Sequence, residues 1–333
     1  MKNNALIKGV ASYHPSNKVN NKYYIDLYNK NGNDISGLLK ATGRENRYIS
    51  DNTEETSLTM GCHAAKAVLK GIHVRPQDIT LLVFSSGTPE FLCPPNSIKL
   101  HNMLGLAEKC CCYDLNGACG GMLIALEQVS RAMQSDPSIR YAMIVGSDQF
   151  NKFSVHENAL TYPQFGDSGC AVLLENVFRT DRGIMDSEYY TESEYHDYMV
   201  YPIKGMSKAI LDKDIAEGDK LFRIEQFDFD RAFYSAVVSI QNVLFRNGLN
   251  TKDIKKYFIS QFALSNIKDI CGHLDEDMSK FVYVGDEYGY TGTTSPFMAY
   301  ERAMKNGELK KGDIVIFWTV GAGFCSACTL YKC

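Results

Sequence analysis

The chain has 333 residues, 45% hydrophobic and 22% charged, with 26 Gly and 9 Pro, the balance of a folded globular protein rather than a disordered, collagenous or coiled-coil one. That length suffices for about two domains of ~150 residues. The formal net charge of −4 gives nucleic acid or an anionic membrane no long-range attraction, and no apolar run reaches the ~18 residues of a membrane span.

The first ten residues carry Lys2 and Lys8 but no long apolar stretch and no small-residue cleavage site, so no signal peptide is expected. The 11 cysteines, an odd number, read as free thiols in a reducing cytoplasm rather than a disulfide framework.

In chain order, a helix is predicted from about Thr56 to Lys70, with Leu58, Cys62, Ala65 and Leu69 on one face and Gly71 as C-cap. Strands follow at Ile79–Ser85 and Cys111–Leu115; the run Cys110, Cys111, Cys112 predicts burial on both faces, since free cysteine packs as a small hydrophobe. A second helix begins near Cys119 and aligns Leu123, Leu126, Val129 and Met133. Strands at Tyr141–Ser147 and Gly169–Leu174 come next, then a Tyr-, Asp-, Glu- and Lys-rich segment from Asp181 to Lys220 expected as peripheral loops and short elements. Further strands are expected at Tyr257–Gln261, Phe281–Val284, Asp313–Val320 and Phe324–Leu330. Strands alternating with helices indicate an α/β fold. Cys325 and Cys328 have C-x-x-C spacing, but residues three apart on a strand face opposite ways. They read as packing thiols, and no metal site is expected.

The chain also resembles itself. DLNGACGGMLIALEQVSRAM from Asp114 and DEYGYTGTTSPFMAYERAM from Asp286 both pass from an acid through a Gly-rich turn into an apolar helix ending Arg-Ala-Met. QDITLLVFSS from Gln77 echoes KDIKKYFISQ from Lys252, and YAMIVGSD from Tyr141 echoes DIVIFWTV from Asp313. Three collinear echoes imply two fused copies of one α/β unit, residues 1–175 and 176–333, with 181–220 partly peripheral. In this register Cys119 corresponds to Tyr290, and the two are expected to face each other across a pseudo-twofold axis.

Cys119 lies between Ala118 and Gly120-Gly121, where a strand turns into a helix. A thiol at a helix N-terminus is expected to have a lowered pKa, and its small neighbours leave a substrate room to approach.

The segment DLNGACGGMLIAL resembles the nucleophile segment of the β-ketoacyl-ACP synthase III enzymes of the thiolase superfamily. The resemblance continues through ATGRENRYI at Ala41, SSGTPEFLCPPNSIKLHNMLGL at Ser85, FGDSGCAVLL at Phe165, YGYTGTTS at Tyr288 and GAGF at Gly321. It implies a five-layer α-β-α-β-α fold, a homodimer, an acyl-Cys119 intermediate and an oxyanion hole from the backbone N–H groups of Cys119 and Ala322. It implies no cofactor.

Three positions depart from the family pattern. Gln261 stands where the family has its catalytic His, with Leu264 at the accompanying Asn, and Tyr290 stands where the family has its second catalytic Asn. Gln261 can donate an N–H and Tyr290 an O–H, but neither is a base near neutral pH as His is. Gly37 and Ala41 replace the Trp and Arg that hold the adenine of coenzyme A, which favours a carrier-protein thioester or a small acyl donor. Of the 7 histidines, His156 is the candidate replacement base, because its loop lines the tunnel in the resembling family.

Three functions are thus open. The first is an acyltransferase of secondary metabolism that passes an acyl group from Cys119 to a small-molecule acceptor. The second is a subunit of a hetero-oligomeric C-acyltransferase with little activity alone. The third is a condensing enzyme of fatty-acid or polyketide initiation. The expected partners are an acyl carrier protein or other thioester donor, and a second thiolase-fold chain, identical or related; no nucleic acid or membrane is expected.

Overall fold

Two sheets carry the chain, with one layer of helices between them and another outside each. The computed structural model describes residues 2–226 and 229–333. The first sheet is built from β1 (Lys2–Tyr13), β2 (Ile79–Ser85), β3 (Cys111–Leu115), β4 (Tyr141–Asp148) and β5 (Ser168–Thr180), in the order β1-β5-β4-β2-β3. The second holds β6 (Gly183–Thr191), β7 (Ile254–Ile259), β8 (Ile314–Gly321) and β9 (Cys325–Lys332), in the order β6-β9-β8-β7. The pairings run antiparallel, antiparallel, parallel in both orders. The duplication inferred from sequence is therefore present in the topology.

The main helices are α1 (Ser57–Ile72), α2 (Asn96–Leu104), α3 (Gly121–Ser135), α4 (Phe229–Arg246), α5 (Leu264–His273) and α6 (Ser295–Lys305). α3 and α6 fill the middle layer. Leu123, Leu126 and Val129 of α3, with Phe297, Ala299 and Tyr300 of α6, pack between Val83 and Ile144 of the first sheet and Phe258 and Phe317 of the second. α1 and α2 cover the outer face of the first sheet, and α4 and α5 that of the second. These are the five layers. A strand covered on both faces has no solvated side, which is why β4 is buried at every position and reads as a continuous apolar run. No helix among the described residues is long and apolar enough to cross a membrane.

Five expectations change. β1 went unread because Asn3, Asn4 and Lys8 interrupt its apolar pattern; the buried Asn4 amide donates to the carbonyls of Arg182 and Ile184 at 2.6 and 3.2 Å. Gly183–Thr191, in a segment expected as peripheral loops and short elements, is the nine-residue edge strand β6, whose acids Asp186 and Glu188 pair with Arg246 of α4. Phe281–Val284 is no strand. It is the reduced counterpart of β3, a single bridge from Phe281 to Tyr257 with the rings stacked at 4.5 Å. The Cys110–Cys112 run begins an edge strand that is partly exposed, not buried on both faces. α1 ends at His73, left-handed at φ 57°, rather than at Gly71, which lies within the helix. Cys325 and Cys328 do face opposite ways across β9, with only Cys328 buried.

Phe317 joins the layers: its ring meets those of Phe258, Phe297 and Tyr300 at 5.1–5.5 Å. Phe317→Ala should destabilise the fold by about 3–5 kcal/mol, read as a lower midpoint in chemical denaturation.

Candidate active site

Cys119 sits in the turn that joins β3 to α3. The turn is tight: Ala118 takes φ 47°, and its N–H donates to the Asn116 side chain at 3.0 Å. A non-glycine residue held left-handed costs about 1–3 kcal/mol and persists only where its surroundings enforce it. Here the enforcement comes from the other half of the molecule. A Cβ on Gly321 would lie 2.7 Å from the Gly117 carbonyl, so the turn after β8 needs glycine to lie against the nucleophile turn. Thr319 donates to the Cys119 carbonyl at 3.1 Å, and Thr293 accepts from the Met122 N–H at 2.8 Å. Met122 and Thr293 are 171 residues apart, the offset of the internal repeat.

Cys119 and Tyr290 meet as the repeat suggested. The Tyr290 hydroxyl hydrogen-bonds the thiol and also accepts from Ser260 Oγ at 3.3 Å. The expected activation of the thiol does not hold. Burial pushes Cys119 up to about 12 and the nearby Asp148 carboxylate pushes the same way, while the Tyr290 hydrogen bond offsets only part. Burial also drives the Tyr290 hydroxyl well above its ordinary value. Both groups are therefore protonated at neutral pH.

Asp148, which the sequence reading passed over, closes β4. It accepts from the Gly87 and Thr293 N–H groups at 2.8 and 2.9 Å and from Ser86 Oγ at 3.2 Å. Burial raises its carboxyl to about 6 and these donors restrain the rise. It is a buried negative group that ties β4 and the Ser86–Gly87 turn to the Thr291–Thr294 loop.

Gln261 does not act as the expected donor into the site. Its amide N–H groups go to the Ile259 and Val282 carbonyls at 2.7 and 3.1 Å, and its Oε1 accepts from the Val284 N–H at 2.7 Å. Both donor hydrogens are committed to backbone. His156 is exposed and stacks on Tyr162 at 4.0 Å, and it does not line the cavity around Cys119; it is not placed as a base. Ala322 does line that cavity, beside Cys119 and Tyr290.

Arg44, a second residue the sequence left unassigned, is fully buried and makes six hydrogen bonds. Five go to the carbonyls of Thr42, Gln164, Gln261, Phe262 and Gly285, and the sixth to the Tyr283 hydroxyl at 2.7 Å.

The cavity over Cys119 has about 840 Å³ of empty space, part of it open to solvent, and aromatic rings dominate its lining, among them Phe150, Phe165, Phe222, Phe262 and Phe324. Such a surface suits an apolar group near the thiol. A second cavity of about 920 Å³ is lined by Leu38, Ala41 and Asn266 and shares Phe262 and Tyr290 with the first. These two rings meet edge to face at 5.4 Å.

Residues 113–193 and 244–333 match the models of the family described as 3-oxoacyl-[acyl-carrier-protein (ACP)] synthase III and of its C-terminal part. The chain is 27% identical over 326 residues to a β-ketoacyl-[acyl-carrier-protein] synthase III of Sphingopyxis alaskensis, covering 97% of each. It is 26% identical over 321 residues to the enzyme of that name from Helicobacter pylori, covering 96% of this chain and 95% of the other. Among solved structures, the 3-oxoacyl-[acyl-carrier-protein] synthase III of Aquifex aeolicus superposes with a TM-score of 0.86 at 20% identity, over 99% of this chain and all of that one. A priming β-ketosynthase from a polyketide biosynthetic pathway gives 0.85 at 21%, over 98% and 96%.

Iodoacetamide labelling with peptide mapping tests this geometry. At pH 8 the buried, protonated Cys119 should label more slowly than the exposed Cys93. Tyr290→Phe should slow it further by removing the bond that favours thiolate. Gln261→Ala should leave the rate within about twofold while lowering stability, by about 1–3 kcal/mol for each buried backbone group left unpaired.

Proposed function

Because this chain belongs to the thiolase superfamily as a β-ketoacyl-ACP synthase III-like protein, we propose that Cys119 accepts an acyl group from a carrier-protein or other thioester and passes it to a small-molecule acceptor in secondary metabolism. One observation carries the reading: the thiol lies in an apolar, aromatic-lined cavity against Tyr290, while the residue at the imidazole position, Gln261, is spent on backbone. The cavity suits holding an acyl chain, and nothing in it suits removal of a proton: among the described lining residues there is no histidine.

Acyl loading is balanced without a resident base. The Cys119 sulfur bonds to the thioester carbonyl, the carbonyl's bond to the donor sulfur breaks, and the thiol proton leaves with the donor's thiol. The carbonyl oxygen gains charge in the tetrahedral state, where the backbone N–H groups of Cys119 and Ala322 are its donors, each such group being worth on the order of 10²–10³ in rate. The Tyr290 hydroxyl, already bonded to the sulfur, follows the proton. The cavity by Ala41, which shares Phe262 and Tyr290 with the nucleophile cavity, is the place for the donor's arm.

A second reading has its own support. A thiol held near 12 with no imidazole beside it is a slow nucleophile, as befits a subunit whose catalytic partner is another thiolase-fold chain in a C-acyltransferase complex. Condensation in fatty-acid or polyketide initiation ranks below both, because the enolate formed on decarboxylation would lack the usual pair of side-chain donors.

Intact-mass analysis after incubation with acyl-ACP and acyl-CoA should give one acyl adduct on the wild type and none on Cys119→Ala. An adduct that survives the substitution removes Cys119 from the role. Release of CO₂ from malonyl-ACP should fall at least ~100-fold below a condensing enzyme with its donors intact.

The open edge of β3 supports a dimer, with a second copy or a related subunit. An unpaired strand edge invites pairing, and a permanent interface buries on the order of 2,000–5,000 Å². Light scattering at micromolar and nanomolar concentration should return a dimer at both.

A further inference from the structure

We propose that His101, Cys110 and Cys112 form a zinc-binding site on the outer face of the first sheet, away from the nucleophile cavity. Cys110 and Cys112 are two residues apart on extended chain, so their thiols emerge on the same face. That is the face covered by α2: both cysteines pack against the cluster that includes its Leu100 and Leu104. His101 lies on the same helix, and one ring nitrogen and the two sulfurs all lie within 4.8 Å of one another.

The convergence of three metal-ligating donors carries the assignment, and the sulfur spacing, now a thiol–thiol hydrogen bond, fits it. Cys110 Sγ and Cys112 Sγ are 3.7 Å apart. A disulfide requires about 2.05 Å, so the pair is not poised as one. Two thiolates bound to one tetrahedral ion at about 2.3 Å each stand about 3.8 Å apart, which is the spacing found. His101 Nε2 also lies 3.0 Å from the Ala107 carbonyl, a contact that helps hold the ring on this face. A neutral ring can give one nitrogen's proton to such a carbonyl and keep the other nitrogen's lone pair for a metal.

The donor set selects the ion. Two sulfurs and an imidazole, with no carboxylate among them, suit Zn²⁺ and exclude Mg²⁺ and Ca²⁺, which take oxygen ligands. Each thiol releases its proton to solvent as its metal–sulfur bond forms, so the two thiolates cancel the ion's charge. All three residues are half-buried, which leaves the fourth position to water. Cys111, between the two, is exposed and points to the opposite face; it is not a ligand. The bound ion would fasten the end of α2 to the start of β3, the strand that leads into the Cys119 turn. It would do so without touching the reacting atoms.

The test uses the full-length protein, stripped of metal with a chelator and titrated with Zn²⁺ against a chromophoric competitor. One equivalent should bind tightly. The double variant Cys110→Ser, Cys112→Ser should weaken binding at least ~100-fold and His101→Ala at least ~10-fold, while Cys93→Ser and Cys119→Ala leave it unchanged. Circular dichroism keeps loss of fold apart from loss of ligands. Co²⁺ in place of Zn²⁺ should give thiolate charge-transfer absorption and the visible bands of a tetrahedral site. Zn²⁺ binding that persists in the double variant, or a Co²⁺ spectrum without thiolate bands, overturns the assignment and leaves the thiols as packing groups on Leu100 and Leu104.

Discussion

The site depends on a cation buried out of reach of bulk solvent. Arg44 is fully buried, and its guanidinium faces five backbone carbonyls and a phenol rather than a carboxylate. Burial pulls its pKa down and the surrounding oxygens hold it charged. The carbonyls of Gln164, Gln261, Phe262 and Gly285 come from three separate stretches of chain that must converge for the site to exist. Converging carbonyls repel one another and cannot satisfy themselves, and each would cost about 1–3 kcal/mol if left buried and unpaired. A five-donor planar cation meets them all at once, as the single point charge of lysine would not.

With that anchor in place, Gln261 acts as a strut. Arg44 holds its carbonyl, and its own amide stitches the end of β7 to Val282 and Val284. An imidazole has no acceptor and donor set spaced to make the same three bonds, so the glutamine and the rigid turn belong together. The turn in turn fixes Phe262 against Tyr290, which makes the wall that both cavities share. Electrostatics agree with this reading. Asp148, the perturbed carboxyl beside the nucleophile among the described residues, opposes the thiolate instead of supporting it.

The sequence carried the architecture because the repeat and the periodic apolar runs are properties of local chain, and local pattern survives without tertiary context. Cys119 was legible for the same reason: small residues flanking a thiol at a strand-to-helix turn is a local arrangement. What was illegible depends on distant contacts. Nothing near Gln261 announces that its amide will meet Val284, and nothing in β1 shows that Asn4 will be buried against Arg182. The lowered thiol pKa expected from a helix N-terminus failed because the dipole's pull is worth at most ~2 kcal/mol, while full burial can move a group by several pKa units. Burial is set by Phe150, Phe222 and Tyr290, none of which adjoins Cys119 in sequence. Similarly, Cys110 and Cys112 look like core residues until the sheet order places β3 at an edge.

The two halves diverge most where function needs asymmetry. In the first, β3 is a full strand that, among the described residues, pairs only with β2 and delivers its chain directly into the nucleophile turn. In the second, the corresponding segment shrinks to one bridge, and Phe281 lies flat on Tyr257. A full strand there would carry its outward N–H and C=O groups along a second open edge; the stacked ring ends the sheet instead. The edge at β3 is the one whose strand carries Cys119 on its continuation. The loop after the reduced segment is freed from strand geometry and folds back as Thr291–Thr294, which meets Asp148 and the start of α3. Duplication thus supplied two equivalent positions facing one axis. Tyr290, which follows the reduced segment of the second half, is the wall against which the thiol of the first is held.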